Sequence, residues 1–221
     1  MTKKIVFLFF ISIMCLGNAQ TNQKVSIDEL VSDYIKELQN QKIDTMCIYK
    51  SYCVGSIMTY DEPLIGTKET CIDYLTNEPV YVFCKEDGKT FLTKINYCWK
   101  FSKIEILKDD LWNLYFSHKV LIDIEEIKPF EYRPPTIDGK KIIRYISDVD
   151  HSCHKNFEIL INNKKIEKDF DFYKLEEKNN SGININYQHN INLKSKLVID
   201  ILEKTTSEAE KNNTFKKIKS R

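Results

Sequence analysis

The apolar residues of this chain change their spacing along the sequence, and that change restricts the possible fold more than any other feature. From 27 to 38 they recur at helical spacing, from 45 to 106 the chain is rich in β-branched and aromatic residues, and from 193 to 202 helical spacing returns. Such spacings are typical of amphipathic helices and half-buried strands. The order predicts an α+β fold, in which an N-terminal amphipathic helix packs on an antiparallel β-sheet built from hairpins and a helix closes the chain.

Two hairpins are predicted from turn signals. Asp87-Gly88 is a strong two-residue turn, and the register that it fixes places Cys84 opposite Phe91 and Glu86 opposite Lys89 as a favourable charge pair. A second hairpin is predicted to turn near 162–163, where two asparagines separate two strand-like runs.

The remaining segments are assigned from their local patterns. A short helix is predicted over 109–118, and the alternating apolar residues of 182–191 predict a strand with His189 on its apolar face. The stretch KPFEYRPPTIDGKK, with three prolines and an Asp-Gly pair, predicts a loop. If the domain has two halves, they are expected to meet there, near 129–140.

The first residues, MTKKIVFLFFISIMCLGNAQ, have the organisation of a secretory signal peptide. Lys3 and Lys4 precede a run of 12 mostly apolar residues, and small residues precede the expected cleavage after Ala19. The run is shorter than the roughly 20 residues that a membrane span needs. A lipid anchor on Cys15 is disfavoured because the large Met14 precedes it. The prediction is a periplasmic or secreted protein with no transmembrane span after cleavage, a single α+β domain over 20–206, and a flexible basic tail over 207–221.

Charge and glycine usage exclude several classes of function. The formal net charge of the whole chain is +1, which argues against nucleic acid as a partner. The six glycines are isolated from one another, so the chain has no glycine-rich phosphate-binding loop and no G-x-S-x-G nucleophile elbow. Nucleotide chemistry and the usual serine hydrolases are therefore disfavoured, and no cofactor is predicted.

Six cysteines remain after the predicted cleavage, and an even number in an exported protein suggests up to three disulfides. Sequence alone leaves their pairing open. The predicted hairpin separates the strand positions of Cys84 and Cys98 too far for a bridge, and a small loop closed by Cys47 and Cys53 is one option. The candidates are Cys47, Cys53, Cys71, Cys84, Cys98 and Cys153.

The stretch SDVDHSCHKNF, residues 147–157, holds the densest group of reactive side chains. Asp148, Asp150, His151 and His154 are candidate metal ligands, and Asp150, Cys153 and His154 are candidate catalytic residues. If the stretch is extended, Asp148, Asp150, Ser152 and His154 point to one side. A structural disulfide at Cys153 within a polar loop is favoured over both the metal site and the activated thiol, because the chain has no C-x-x-C and no H-E-x-x-H motif.

Two functions remain open after these exclusions. The favoured one is an exported, disulfide-containing protein without enzymatic activity, which binds a protein partner in the cell envelope or outside the cell. The alternative is a small exported metal-binding protein or hydrolase that uses the Asp/His/Cys cluster of 148–154. The sequence does not indicate the oligomeric state.

Overall fold

The computed structural model describes residues 26–55, 79–96, 99–162 and 164–220. Within them the helices are α1 (Ile27–Asn40), α2 (Asp110–Ile124), the short α3 (Tyr187–Ile191) and α4 (Lys194–Lys211), with a 3₁₀ turn at Phe172–Leu175. The strands are β1 (Thr45–Cys53), β2 (Val80–Glu86), β3 (Lys89–Ile95), β4 (Trp99–Phe101), β5 (Ile104–Ile106), β6 (Phe130–Asp138), β7 (Lys141–Ser147), β8 (Cys153–Ile161), β9 (Lys164–Asp171), β10 (Lys178–Asn179), β11 (Gly182–Ile183) and β12 (Lys217–Ser220).

An antiparallel sheet forms the centre of the molecule, in the strand order β12-β4-β3-β2-β1-β8-β9, with β5 also pairing with β3. The predicted α+β class is therefore confirmed. The hairpin at Asp87-Gly88 has the expected register, with Cys84 opposite Phe91. Glu86 and Lys89 are opposite one another as predicted, but their ion pairs go to Lys103 and Glu105 on neighbouring segments. In the second hairpin Ile161 pairs with Lys164, in agreement with the predicted turn.

Helix α1 covers one face of this sheet. Ser26 and Glu29 form a capping box, in which each side chain bonds to the other residue's backbone N–H. The apolar side of the helix packs on alternate residues of β1, β2 and β3. The residues buried in this layer are Leu30, Val31, Tyr34, Leu38, Ile43, Met46, Ile48, Val80, Val82, Cys84 and Ile95.

Helices α2 and α4 cover the opposite face, so the sheet lies between two helical layers. The inward residues of β1 and β8, such as Tyr49 and Phe157, meet Trp112 from α2 and Val198 from α4 in one buried cluster. The helix predicted over 109–118 continues to Ile124, with a break in helical geometry at His118. The predicted C-terminal helix is confirmed as α4.

The stretch predicted to be a loop at 128–141 is instead one side of a hairpin. Strands β6 and β7 form a separate two-stranded sheet that turns at Gly139 and Lys140, and we call this hairpin the arm. The register shifts between Arg133 and Thr136, where two prolines interrupt the pairing. Prolines in a sequence favour a loop, but strands outside a central sheet accept them.

The strand predicted over 182–191 is wrong, because most of this stretch is a turn followed by α3. Its asparagines are buried and bond to backbone carbonyls: Asn184 donates to Lys174 and Glu176, and Asn190 donates to Lys128 and Lys174. Asparagine side chains compete with strand pairing in this way. His189 consequently lies in α3 and contacts the Glu126 carbonyl.

Regular structure continues into the stretch over 207–221 for which sequence predicts a flexible basic tail. Helix α4 extends through Lys211, and β12 pairs with β4 at the edge of the main sheet. Phe215 holds the connection by packing against Tyr81 and Phe101. Apolar contact and strand pairing therefore outweigh the solvation of the tail's lysines.

The predicted signal peptide, Cys15, Cys71 and Cys98 lie outside the described residues. None of the helices that the structure describes is both long and apolar enough to cross a membrane.

Candidate functional site

A disulfide joins Cys53 at the end of β1 to Cys153 at the start of β8. The two residues are directly opposite in the antiparallel register, and their Cα atoms lie 3.9 Å apart. The bridge links positions 100 residues apart in sequence. Cys53 therefore bonds to Cys153 rather than to Cys47, and Cys153 carries no free thiol in this structure.

Cys47 and Cys84 are free thiols buried on opposite faces of the sheet. Their separation by the sheet explains why they do not bond to one another. Burial raises the pKa of both thiols, that of Cys84 to about 11, although nearby Lys103 acts against the increase. These groups are neutral at physiological pH, which makes them poor nucleophiles and poor metal ligands.

His154 is the best-positioned reactive side chain of the 147–157 stretch. Its Nδ1 lies 2.8 Å from Oδ2 of Asp169, and its Nε2 lies 3.1 Å from Oγ of Ser152. The ring of Tyr52 stacks on the imidazole at a centroid distance of 5.0 Å and an angle of 8°. The Tyr52 hydroxyl donates to Oδ1 of Asp169 at 3.2 Å. Tyr52 from β1, Asp169 from β9 and Ser152, just before β8, therefore hold the imidazole in place.

The other candidates of this stretch are placed elsewhere. Asp148 accepts a hydrogen bond from the backbone N–H of Val149, and His151 lies against Gly55. The carboxylate paired with His154 is Asp169 rather than Asp150. Within the described part of the chain, no three His, Cys, Asp or Glu side chains are grouped closely enough to hold a metal ion.

Ser152 and His154 have the same-side placement expected of an extended chain, and their side chains are hydrogen-bonded. Asp169 is not among the residues predicted from sequence, although the pairing of β8 with β9 places His154 opposite Asp171 and Asp169 diagonally on the same face. Tyr52 had no sequence signal, because the pairing of β1 with β8 joins distant parts of the chain.

The arm presents a second candidate site, which is apolar. Ile137 and Ile142 are directly opposite on β6 and β7, and their exposures are 79% and 72%. Ile142, Arg144 and Ile146 alternate along β7 and so share one face of the strand. Ile146 is also exposed. Ile137 and Ile142 are adjacent and both exposed, and contiguous exposed apolar side chains are typical of binding surfaces rather than of scattered surface residues.

The base of the arm is fixed to the rest of the protein. Phe130 is fully buried and stacks on Tyr173, and the buried carboxylate of Glu131 accepts bonds from Arg144 at 2.5 Å and from Asn186 at 3.2 Å. The backbone carbonyl of Glu131 also accepts from Ile185. The arm is therefore held at its base, while its tip faces solvent.

Comparisons of this chain with protein-family models, with curated proteins and with solved structures find no match. The arm and the His154 cluster are accordingly interpreted from their own chemistry.

Proposed function

We propose that this is an exported protein that binds a protein partner through the apolar face of the arm. The N-terminal signal pattern and the Cys53–Cys153 disulfide support export, since disulfides persist in oxidising compartments. The observation that carries the binding proposal is the pair of opposed isoleucines, Ile137 and Ile142, left exposed at the tip of a hairpin with a buried base.

The charge of the arm indicates what kind of surface it binds. Its strands and turn carry Arg133, Lys140, Lys141 and Arg144, whereas Asp138 is the acidic residue near the tip and Glu131 is buried. A complementary partner presents an apolar patch with an acidic rim, because opposite charges at the rim increase the association rate and set the orientation. The isoleucines supply most of the affinity by losing contact with water.

A matched pair of variants tests the arm as the binding surface. Ile137→Thr/Ile142→Thr removes the apolar pair while keeping β-branched side chains. Val120→Gln/Ile124→Gln is the control, because these residues of α2 are 72% and 68% exposed and belong to a different surface. Partners are captured from the exported fraction with the unmodified protein, identified, purified, and titrated against all three proteins.

We expect saturable binding by the unmodified protein, a roughly 10- to 100-fold loss of affinity in the arm variant, and little change in the α2 variant. Equal binding by the arm variant and the unmodified protein, or a loss confined to the α2 variant, would contradict the proposal. Export is tested separately by the intact mass of the protein from the exported fraction, which we expect to begin at Gln20. A mass that includes the first 19 residues would contradict it.

A further inference from the structure

Ser152, His154 and Asp169 form a continuous hydrogen-bonded series at the end of the main sheet. The two distances, 3.1 Å from Ser152 Oγ to His154 Nε2 and 2.8 Å from His154 Nδ1 to Asp169 Oδ2, are those at which a hydroxyl, a base and a carboxylate act together. Ser152 immediately precedes β8, His154 is the second residue of that strand, and the carboxylate comes from β9.

The series also determines where the protons lie. An ionised carboxylate only accepts hydrogen bonds, so Nδ1 of His154 carries the proton that Asp169 accepts. In the neutral imidazole Nε2 is then an acceptor, and it faces the hydroxyl of Ser152. The Ser152 proton therefore points toward a base that is ready to remove it.

Tyr52 restrains both the base and the carboxylate. Its ring stacks on the imidazole, and its hydroxyl donates to the Asp169 oxygen that His154 does not use. Burial, followed by the charge of Asp169, raises the pKa of Tyr52, so the hydroxyl stays protonated and remains a donor. The disulfide at the neighbouring Cys153 ties the start of β8 to β1 and limits the movement of Ser152.

The Ser152 hydroxyl and the His154 imidazole are held by hydrogen bonds and are also partly exposed to solvent. The side chain of His154 is 18% exposed, and Ser152 is half-buried, so a small molecule can reach the hydroxyl while the base remains shielded from bulk water. Asp169 is the carboxylate in contact with the Tyr52 hydroxyl, whereas Glu167 and Asp171 are ion-paired with Lys165 and Lys174. The charge of Asp169 beside the site disfavours anionic substrates and permits uncharged ones.

The geometry points to Ser152 as a nucleophile toward small uncharged carboxylic esters, with His154 as the general base and Asp169 as the positioning residue. Oγ of Ser152 bonds to the ester carbonyl carbon while its proton passes to Nε2 of His154. The bond to the leaving alcohol then breaks, and the alcohol departs with that proton, which leaves an acyl-Ser152. Water attacks this ester in the same way, giving up one proton to Nε2, which returns it to Oγ as the carboxylic acid leaves.

A fluorophosphonate probe tests this assignment, because a serine oxygen displaces its fluoride only when the oxygen is activated. The oxidised full-length protein is incubated with the probe, and the modified residue is identified by peptide mass. Ser147 is the internal control, since its hydroxyl is also hydrogen-bonded but to Tyr173 and Ser181 rather than to a histidine. We expect modification at Ser152 at least 100-fold faster than at Ser147, with release of p-nitrophenol from p-nitrophenyl acetate.

Variants separate activation from folding. We expect Ser152→Ala to abolish labelling at this site, His154→Gln to slow it at least 100-fold, and Asp169→Asn to slow it at least 10-fold, while Asp169→Glu restores part of the rate. All four variants should keep the unfolding transition within the range of the unmodified protein, because these groups lie outside both buried clusters. Labelling of Ser152 no faster than that of Ser147, or equal labelling in His154→Gln, would overturn the assignment.

Discussion

The carboxylate of Glu125, just beyond the end of α2, caps helix α4 at Ser195. Its two oxygens accept hydrogen bonds from the backbone N–H groups of Lys194 and Ser195 and from the Ser195 hydroxyl, at 2.8 to 2.9 Å. Leu193, at the N-cap position, has no side-chain oxygen to provide such a cap. A residue about 70 positions earlier in the sequence therefore satisfies the first turn of α4 and complements its dipole.

Replacing this cap should destabilise the protein measurably. We expect Glu125→Ala to lower the free energy of unfolding by about 1–2 kcal/mol, the range found for lost N-caps. The adjacent Glu126→Ala is the control, since the hydrogen bond at Glu126 uses its backbone carbonyl, and it should change stability by less than about 0.5 kcal/mol. Urea denaturation followed by circular dichroism compares them, and equal stability of the two variants would show that Glu125 is not a cap.

The disulfide should contribute more to stability than any single hydrogen bond. Cys53→Ser/Cys153→Ser opens a loop whose ends are 100 residues apart, and we expect a loss of about 2–5 kcal/mol through greater disorder of the unfolded chain. The measurement is the urea midpoint of the variant and of the unmodified protein, both without reductant. A variant with an unchanged midpoint would mean that the bridge does not constrain the unfolded chain.

The buried thiol of Cys84 makes stability depend on alkaline pH. Its pKa is raised to about 11 in the folded protein, against about 8.5 in an unfolded chain. Its contribution is therefore complete below about pH 8.5 and is lost as the pH rises toward 11, at up to about 1.4 kcal/mol per pH unit. The stability difference between the unmodified protein and Cys84→Ala should shrink over that interval in urea titrations, whereas a constant difference would show that Cys84 does not titrate in this way.

The parts of the fold that sequence predicts are those that local spacing determines. The periodicity of α1 and α4, the turn at 87–88 and the hairpin in which Ile161 pairs with Lys164 each depend on neighbouring residues alone. The errors occur where distant parts decide. Asn184 and Asn190 become buried because the carbonyls of Lys128, Lys174 and Glu176, in two other segments, need donors, and the alternation of apolar residues does not indicate those carbonyls.

In the candidate site, too, the sequence predicts local features but not the pairing of distant segments. The same-side placement of Ser152 and His154 follows from the extended chain, and the choice of Asp169 over Asp150 follows from the pairing of β8 with β9. Cys153 bonds to Cys53 because β1 and β8 are neighbours in the sheet, and six cysteines in a sequence permit many other pairings. The prolines of the arm suggest a loop, so the sequence does not indicate the apolar face that β6 and β7 form.

Gly55 follows the end of β1 and lies against the ring of His151. Gly55 has a φ of +76°, a conformation that residues with a side chain rarely adopt, and a Cβ placed there would lie 2.3 Å from Nδ1 of His151. Val54, next to it, donates its N–H to the Ser152 carbonyl, so this turn supports the loop that leads into β8.

Gly55→Ala should lower the free energy of unfolding for two separate reasons, and a second substitution distinguishes them. The left-handed backbone costs about 1–2 kcal/mol for any residue with a Cβ, and displacement of the His151 ring adds to this. In the background of His151→Ala the ring is absent, so the cost of Gly55→Ala should fall to the backbone contribution alone. Urea unfolding of the four proteins of this cycle measures the coupling. If Gly55→Ala costs the same with and without the imidazole, the two residues are not in contact, and the turn would have to be held by the Val54–Ser152 hydrogen bond and the disulfide without any help from His151.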